Sequence, residues 1–597
     1  MKKKIVSVLL ASLMVTSMLA GCGNSSGSSS SSGAGSTGGD TTSASGTEAG
    51  DTGLTAEEQE AVDEGIIQLD GTLPIIKDPA KFEEKYGKIS ALIVNSADRT
   101  VEVGDLAMCQ KWFEDTGVEF DWQPIPQESA TEKINLMLSS GQDLPDVFWN
   151  FGDGKSGNTV VQYADQDVFL PTEGLIEEYM PNLKAFLDDN EQYQLEITAP
   201  NGHKYGFPYV EEMKGLVLTP GPFVINKTWL DKVGKEVPTT VDEWVDCLKA
   251  IRDGGDLNGN GEDDEIPMAT WFGATDTFGS YNLFYRFTGA FGCADSYCGG
   301  NSYADHLRMV DGKVTFTATD EAFKKTAEFF NMLYEEGLIW NGSFEADESM
   351  SFKSSLIKEN VAKIGSFGVW GDQEITNQEV HDQYVAVPRL QGEDGMTGFE
   401  CNYSELQDSS DTAITTTCKF PHVVARFVDY MVGDPEISVT SNWGAIGYNY
   451  EKDEDGVLRT PLDENGNYKP LNPEYKNFGE ARVNSTTCRG SMIVQNEYYD
   501  TVCGYTFDAV KLLEMQKENG KDDIMEEYDT IPRVLMTQAQ IQPTVSDIVD
   551  RYITTWVTGG VDDASWESYK TELEGAGLSE LVEIYQGAVD RAASAAN

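Results

Sequence analysis

Leu136-Met137-Leu138-Ser139-Ser140-Gly141-Gln142-Asp143-Leu144-Pro145-Asp146-Val147-Phe148-Trp149 passes from one periodicity to another across a single glycine. Ile134, Leu136 and Met137 fall at helical spacing over 132–140, Gly141 ends that helix, and residues 145–149 read as a short apolar strand. The alternation extends outward on both sides. Upstream, residues 55–70 read as a short acidic helix and Ile89-Ser90-Ala91-Leu92-Ile93-Val94 as a strand; residues 104–117 have helical spacing and Val118-Glu119-Phe120-Asp121-Trp122 alternates like a strand. Downstream, Phe223-Val224-Ile225 leads into a helix over 228–233. Thr240 and Glu243 form a capping box for a helix over 241–252. Residues 322–336 form an amphipathic helix, Val361-Ala362-Lys363-Ile364-Gly365 a strand, 421–432 a helix, and 566–593 a helical end. Short strands separated by helices predict an α/β fold with parallel layers.

A chain of 597 residues is too long for one compact core and long enough for two lobes. Its formal charge of −57 repels nucleic acid and anionic headgroups, so no nucleic-acid partner is expected. The acids are scattered, which reads as a solvated surface. Nine cysteines are spread widely without a CxxC pair; Cys293 and Cys298 are close enough to bridge across a loop, which the sequence alone leaves open.

The N-terminus is an address. Lys2-Lys3-Lys4 is a basic head and residues 5–20 are an apolar run of signal-peptide length, short for a membrane span. Leu19-Ala20-Gly21-Cys22 then resembles a bacterial lipobox, which implies a signal peptide over 1–21 and a lipidated Cys22. Residues 22–54 are dominated by Ser, Gly and Thr and form a flexible tether. No other stretch has the length and apolarity of a span, so the body is expected on the extracellular face, attached to the membrane by its lipid anchor only.

Several stretches together resemble the family 1 extracellular solute-binding proteins, in the branch of alginate- and other oligosaccharide-binding lipoproteins. They are the segment quoted first, Tyr205-Gly206-Phe207-Pro208-Tyr209, Asn226-Lys227-Thr228-Trp229-Leu230-Asp231-Lys232-Val233-Gly234, Val237-Pro238-Thr239-Thr240, residues 256–267, Cys418-Lys419-Phe420-Pro421-His422 and residues 566–585, in shared order from about 88 to 590. The resemblance implies a two-lobed, type II periplasmic-binding-protein-like fold whose lobes close on a ligand by a hinge. The implied division is a first lobe over 55–215 and 390–440 and a second over 216–389 and 441–597. Crossings are expected near 209–223, 384–390 and 434–443. It also implies ABC permease subunits as partners and a monomer.

Asp256-Leu257-Asn258-Gly259-Asn260-Gly261-Glu262-Asp263-Asp264-Glu265 opens like an EF-hand loop, with oxygen-bearing side chains at alternate positions converging on one hard cation. Position twelve, a bidentate Glu in that loop, is Pro267 here, and Glu265 is the nearest substitute. The resembling proteins share this altered spacing and bind calcium there. The resemblance therefore implies a structural calcium held by Asp256, Asn258, Asn260, Glu262, Asp264 and Glu265. A metal-free polar loop is the competing reading.

Sugar clefts need flat aromatic platforms and side chains that both donate and accept hydrogen bonds. Open α/β sheets bind ligands at the carboxyl ends of strands. On those grounds the expected ligand contacts are Trp149, Tyr209, Trp271, Phe272, Trp370, Asp372, Trp443 and Arg489, with core packing as the competing reading for each aromatic. The four histidines have no metal-ligand spacing, Gly154-Lys155-Ser156 lacks the first glycine of a phosphate loop, and there is no GxSxG elbow. The expectation is the capture subunit of an ABC importer for an oligosaccharide, not an enzyme. The alternatives are an extracellular glycan-degrading lipoprotein and a binding protein serving a sensor. A neutral glycan is favoured over a uronate, because 43 basic residues stand against 100 acids.

Overall fold

The computed structural model describes residues 53–595 apart from 153–155, 165, 220, 273–280, 296–304, 345–359, 376, 398–401, 403, 465, 509, 512–513, 515–530 and 532–540. The signal peptide, Cys22 and Cys298 lie outside the described residues, as does all but the end of the tether. Cys293 carries a free thiol.

Two mixed sheets organise the chain. The first is built on β1 (Ile89–Asn95), β2 (Phe120–Pro126), β3 (Val147–Trp149) and β4 (Phe207–Glu211). The second holds β5 (Phe223–Asn226) and β6 (Ile266–Met268); β7 (Leu307–Val310) and β8 (Lys313–Phe316) form a separate hairpin. β9 (Ile364–Gly368) and β10 (Tyr384–Ala386) complete the second sheet in the order β10-β5-β9-β6. The first gains β11 (Leu406–Ile414) and, after the small hairpin of β12 (Glu451–Lys452) and β13 (Leu458–Arg459), β14 (Ile493–Val494), giving β14-β4-β11-β3-β1-β2.

β1 runs parallel to both β2 and β3, Ile89 opposite Phe120 and Ala91 opposite Val147. It is apolar on both faces because both are covered. Ala91 and Ile93 enter one core, while Leu92 joins Phe148 and Ala413 against Ile134, Leu138 and Val160 of the helices Gln127–Ser140 and Ser156–Ala164. β2 carries Pro124 and Pro126, which suits its place at the sheet's edge. β11 is antiparallel to both β3 and β4 and buried along its whole length, yet reads Leu-Gln-Asp-Ser-Ser-Asp-Thr-Ala-Ile. Its carboxylates are engaged. Asp408 accepts from the backbone N–H of Ser156 (3.1 Å), Gly157 (3.3 Å) and Ser410 (3.0 Å), capping the start of the helix Ser156–Ala164; Asp411 accepts from that of Gly490 (2.7 Å).

The main cores divide the chain. One gathers residues between 61 and 217 and between 406 and 510, the other residues between 223 and 390 and between 531 and 592. The passages between them therefore fall between β4 and β5, between β10 and β11, and between Val510 and Ile531. The third differs from the expected crossing at 434–443. There the helices Pro421–Gly433 and Pro435–Trp443 both pack in the first core, with Tyr450, Leu458, Met492 and Tyr499 following them, so residues 441–510 lie with the first body and not the second.

The capping box forms as expected: Glu243 N–H donates to Thr240 Oγ1 at 3.2 Å, opening the helix Val241–Arg252. The strand expected at 361–365 is displaced to Ile364–Gly368, where Gly365 lets the Pro267 carbonyl and Ile251 approach the sheet closely. The C-terminal helix is two, Asp563–Gly575 and Leu578–Ala595, broken where Gly577 takes a φ of +101°.

Replacing Asp408 by Ala removes the acceptor of three N–H groups. It should destabilise the protein by about 2–4 kcal/mol in urea unfolding, and Asp408→Asn, which keeps one acceptor, by less.

Candidate functional site

A cavity of about 380 Å³ opens at the carboxyl ends of β1 and β3. Asn95 and Ser96 line it after β1, Asn150, Phe151 and Gly152 after β3, and Gln127 and Thr131 from the first turns of the helix Gln127–Ser140. The remaining wall is the end of the helix Phe478–Val483 and the loop that follows it, with Arg482, Thr487, Cys488 and Arg489. Two lining residues other than glycine adopt left-handed backbone, Asn150 with φ 44° and Cys488 with φ 68°. Such strain concentrates at functional sites, where neighbouring structure holds it in place.

Among the described residues, three arginines and no Asp or Glu line the cavity, although acids far outnumber bases in the chain. Arg99 builds the wall rather than facing the space. Its Nε donates to Val483 O (2.9 Å), Nη1 to Asn95 Oδ1 (2.7 Å) and Nη2 to Thr486 O (3.2 Å), fastening the end of β1 to the loop. Arg482 donates to Asn442 O (2.7 Å) and Asn442 Oδ1 (2.8 Å) and lies 4.5 Å over the Trp443 ring. Arg489 lies 5.4 Å over the Tyr209 ring, with Nη2 3.6 Å from Asp411.

These contacts relocate several expected sugar platforms. Trp149 is fully buried among Trp112, Phe120, Trp122 and Phe427, because its side chain turns into the core from the strand; Asn150 and Phe151 reach the cavity instead. Its indole N–H donates to Arg489 O at 3.0 Å, and Gly490 presses so close to the ring that a Cβ there would clash. Tyr209 and Trp443 are likewise buried, each with a face covered by an arginine. Both engage Glu211, through the Tyr209 hydroxyl and through Trp443 Nε1 at 2.6 Å. Burial raises the Glu211 carboxyl above the usual range, against the Tyr209 hydrogen bond and the nearby Arg482.

Trp370 and Asp372 follow β9 and meet the first body. The rings of Trp370 and Trp443 are 5.9 Å apart, Asp372 N–H donates to Phe507 O at 2.9 Å, and Phe507 N–H donates to Asp372 Oδ1 at 2.7 Å. Phe272 is stacked on Phe344 at 5.0 Å and buried, so that ring too is core. Trp271 is buried beside Tyr281, and its indole N–H has no partner among the described residues.

In the oxygen-rich loop, Asp264 Oδ1 receives both the Asn258 and Asn260 amides at 3.0 Å, and Asp256 accepts from the N–H of Gly259 and Gly261. Glu265 Oε1 accepts from Asn258 N–H at 2.7 Å, while Oε2 is buried without a partner among the described residues. Among the described residues no three His, Cys, Asp or Glu side chains converge as metal ligands; two of the converging groups here are asparagines. Turning either amide about its bond to Cβ brings a carbonyl oxygen beside Asp264, so the donor set fits a hard cation.

A two-bodied mixed α/β fold with a cavity at strand ends is the architecture of a binding protein, and comparison places it. The family model described as bacterial extracellular solute-binding protein matches residues 102–436, and the chain belongs to that family. Its fold is the two-lobed type II periplasmic-binding-protein-like fold, and it is a solute-binding protein, not an enzyme. It is 34% identical over 496 residues, 81% of this chain and 86% of the relative, to the fructooligosaccharide ABC transporter substrate-binding protein FusA of Streptococcus pneumoniae serotype 4. The solved structure of S. pneumoniae FusA in complex with kestose is similar with a TM-score of 0.70 and 29% identity, covering 85% of this chain and 99% of that one. That of a FusA EF-hand mutant in complex with fructo-nystose has a TM-score of 0.68 at the same identity and coverage.

Of the residues expected at a ligand site, Arg489 alone lines the cavity; Trp370, Asp372 and Trp443 gather at the junction of the two bodies. Gln127, Asn150, Phe151 and Arg482 were missed. Their only signal in the sequence is position: Asn150 and Phe151 directly follow a strand, and Arg482 is a base in an acid-rich chain.

Asp508, beside the Asp372 junction, is pushed up to about 6 by burial, with Asp372 adding to the shift. A carboxyl raised on folding stabilises below its unfolded pKa, about 3.9, and that stability is lost as pH rises through the folded value. Wild type should therefore lose up to about 3 kcal/mol between pH 4 and 7 relative to Asp508→Asn, measured by urea unfolding at each pH.

Proposed function

We propose that the chain is the extracellular substrate-binding subunit of an ABC importer and captures a short neutral oligosaccharide, with a fructooligosaccharide the first candidate. The observation that carries this reading is similarity along most of both chains to a fructooligosaccharide-binding protein, together with a cavity at the carboxyl ends of β1 and β3. Sugar hydroxyls both donate and accept. The Asn95, Gln127, Thr131 and Asn150 side chains supply both functions, Arg489 supplies donors, and Phe151 offers an apolar ring edge. Trp370 and Asp372 meet Trp443 and Phe507 of the first body at the junction, and Trp271 brings an indole donor from the second body.

The lipobox-like Leu19-Ala20-Gly21-Cys22 supports lipidation at Cys22, with the tether over 22–54 holding a monomeric body at the outer face of the membrane beside the permease. A structural calcium at Asp256, Asn258, Asn260, Glu262, Asp264 and Glu265 is supported by the oxygen-only donor set and the orphaned Glu265 oxygen. The ion would neutralise converging carboxylates and stiffen the turn between the helix Val241–Arg252 and β6.

Kestose at a hundredfold excess over its Kd should raise the unfolding free energy by about 2.7 kcal/mol and be recovered intact. Release of fructose would contradict capture, and a panel of glycans without any shift would contradict the ligand class. Arg489→Ala should weaken binding roughly 10- to 100-fold in calorimetry. Chelation should lower the melting midpoint, calcium but not magnesium should restore it, and Glu265→Gln should blunt the effect; a midpoint indifferent to chelator would remove the calcium.

A further inference from the structure

Three passages join the two bodies, and among the described residues hydrogen bonds lace the first to the second and hold the segment that leads into the third. Asn402, in the second, donates its N–H to Leu218 O (2.9 Å) and its side-chain amide to Val217 O (2.8 Å), at the start of the first. The first is held to the second body where Val369 N–H donates to Pro222 O (3.1 Å) and Arg286 Nη1 to Gly221 O (2.6 Å). Gly221, at φ +87°, lies so close to the Val369 and Trp370 carbonyls that no Cβ fits. The third passage leaves the first body just after Phe507 and Asp508, and there Gly371 pairs with Asp508 while Asp372 and Phe507 exchange two hydrogen bonds.

The Asn402 amide and the Arg286 guanidinium fasten the passages themselves. The Asp372 carboxylate instead supplies half of a contact made directly between the two bodies. Oδ1 accepts from Phe507 N–H, and Oδ2 is 3.2 Å from His381 Nε2, on the short helix Gln378–His381 of the second body. Both oxygens are thus engaged within the protein, which argues against the sugar contact expected from sequence. Trp370, two residues earlier, packs against Trp443, which the Arg482 guanidinium of the cavity wall also covers. The turn bearing Asp372 therefore lies between the hinge passages and the cavity's back wall.

We propose that Asp372 is a positioning residue for lobe closure, clasping Phe507 across the junction so that the two bodies are held in the geometry from which the lobes close on solute. This rests on the capture reading above. A clasp of this kind raises the population competent to bind. Losing it lowers that fraction, which raises the apparent Kd and slows association while the bound complex, and so dissociation, is unchanged. A direct ligand contact behaves oppositely, since its loss appears in the dissociation rate.

The test uses the full chain with kestose as probe, comparing wild type, Asp372→Ala and Asp372→Asn by stopped-flow tryptophan fluorescence and by small-angle scattering with and without kestose. Circular dichroism confirms folding. Asp372→Ala should weaken binding about 5- to 10-fold through slower association, show a larger radius of gyration than wild type without ligand, and match wild type when saturated. Asp372→Asn, whose amide oxygen still accepts from Phe507 N–H, should stay within about twofold of wild type. Faster dissociation of Asp372→Ala, or unchanged rates and radius, would overturn the clasp. Should wild type fail to bind kestose, the ligand reading fails separately: the ligand-free radius still decides, an expanded Asp372→Ala supporting the clasp and an unchanged one overturning it.

Discussion

Two buried carboxylates on β11, Asp408 and Asp411, hold the binding end of the first body together. Asp408 receives the opening N–H groups of the helix Ser156–Ala164, which starts where the β3 segment leaves the cavity. Asp411 receives Gly490 N–H and stands 3.6 Å from Arg489, on the opposite wall. A carboxyl group is buried only where partners replace its water, and here backbone donors from two separate stretches do so. The carboxylates thus fix both sides of the cavity from its base. Arg99 adds a strap from the end of β1, and Trp149 supports the Arg489 carbonyl from below.

The second body serves the first through the junction. Trp370 and Asp372 follow β9, Trp443 and Phe507 belong to the first body, and the cavity arginine Arg482 lies on Trp443. Residues that look from sequence like sugar platforms therefore form a chain of packed aromatic and cationic groups leading from the cavity to the hinge. Glu211 closes that chain from within, accepting from Trp443 and Tyr209 while burial holds its carboxyl above the ordinary range. Lobe closure needs such rigid, discrete contacts, because a packed junction moves between arrangements rather than deforming smoothly.

Much of the fold is legible because local signals agree with tertiary placement. β1 is apolar and β-branched and is covered on both faces; Thr240 and Glu243 cap the helix they are spaced to cap; Gly141 ends its helix in the left-handed conformation. β11 is illegible for the opposite reason. Its six central residues are polar, and only tertiary partners make them a buried strand. The same limit governs the site. Strand ends mark where ligands bind, yet the point at which the strand stops decides which side chain arrives: β3 ends at Trp149, whose ring turns into the core, and the left-handed backbone at Asn150 then carries Asn150 and Phe151 to the cavity. The expected lobe boundary fails at 441 because the helices Pro421–Gly433 and Pro435–Trp443 pack on one core, a contact that spacing does not encode.

The central claim is that solute is captured at the carboxyl ends of β1 and β3, with the second body closing over it. Hydrogen–deuterium exchange of the full chain, with and without saturating kestose, tests this most directly. Slower exchange at 127–131, 150–152 and 482–489 and at the junction residues 370–372 and 507–508, with the far helix Asp563–Gly575 unchanged, is the result the account predicts. Protection confined to other surfaces, with those segments unaltered, would contradict it.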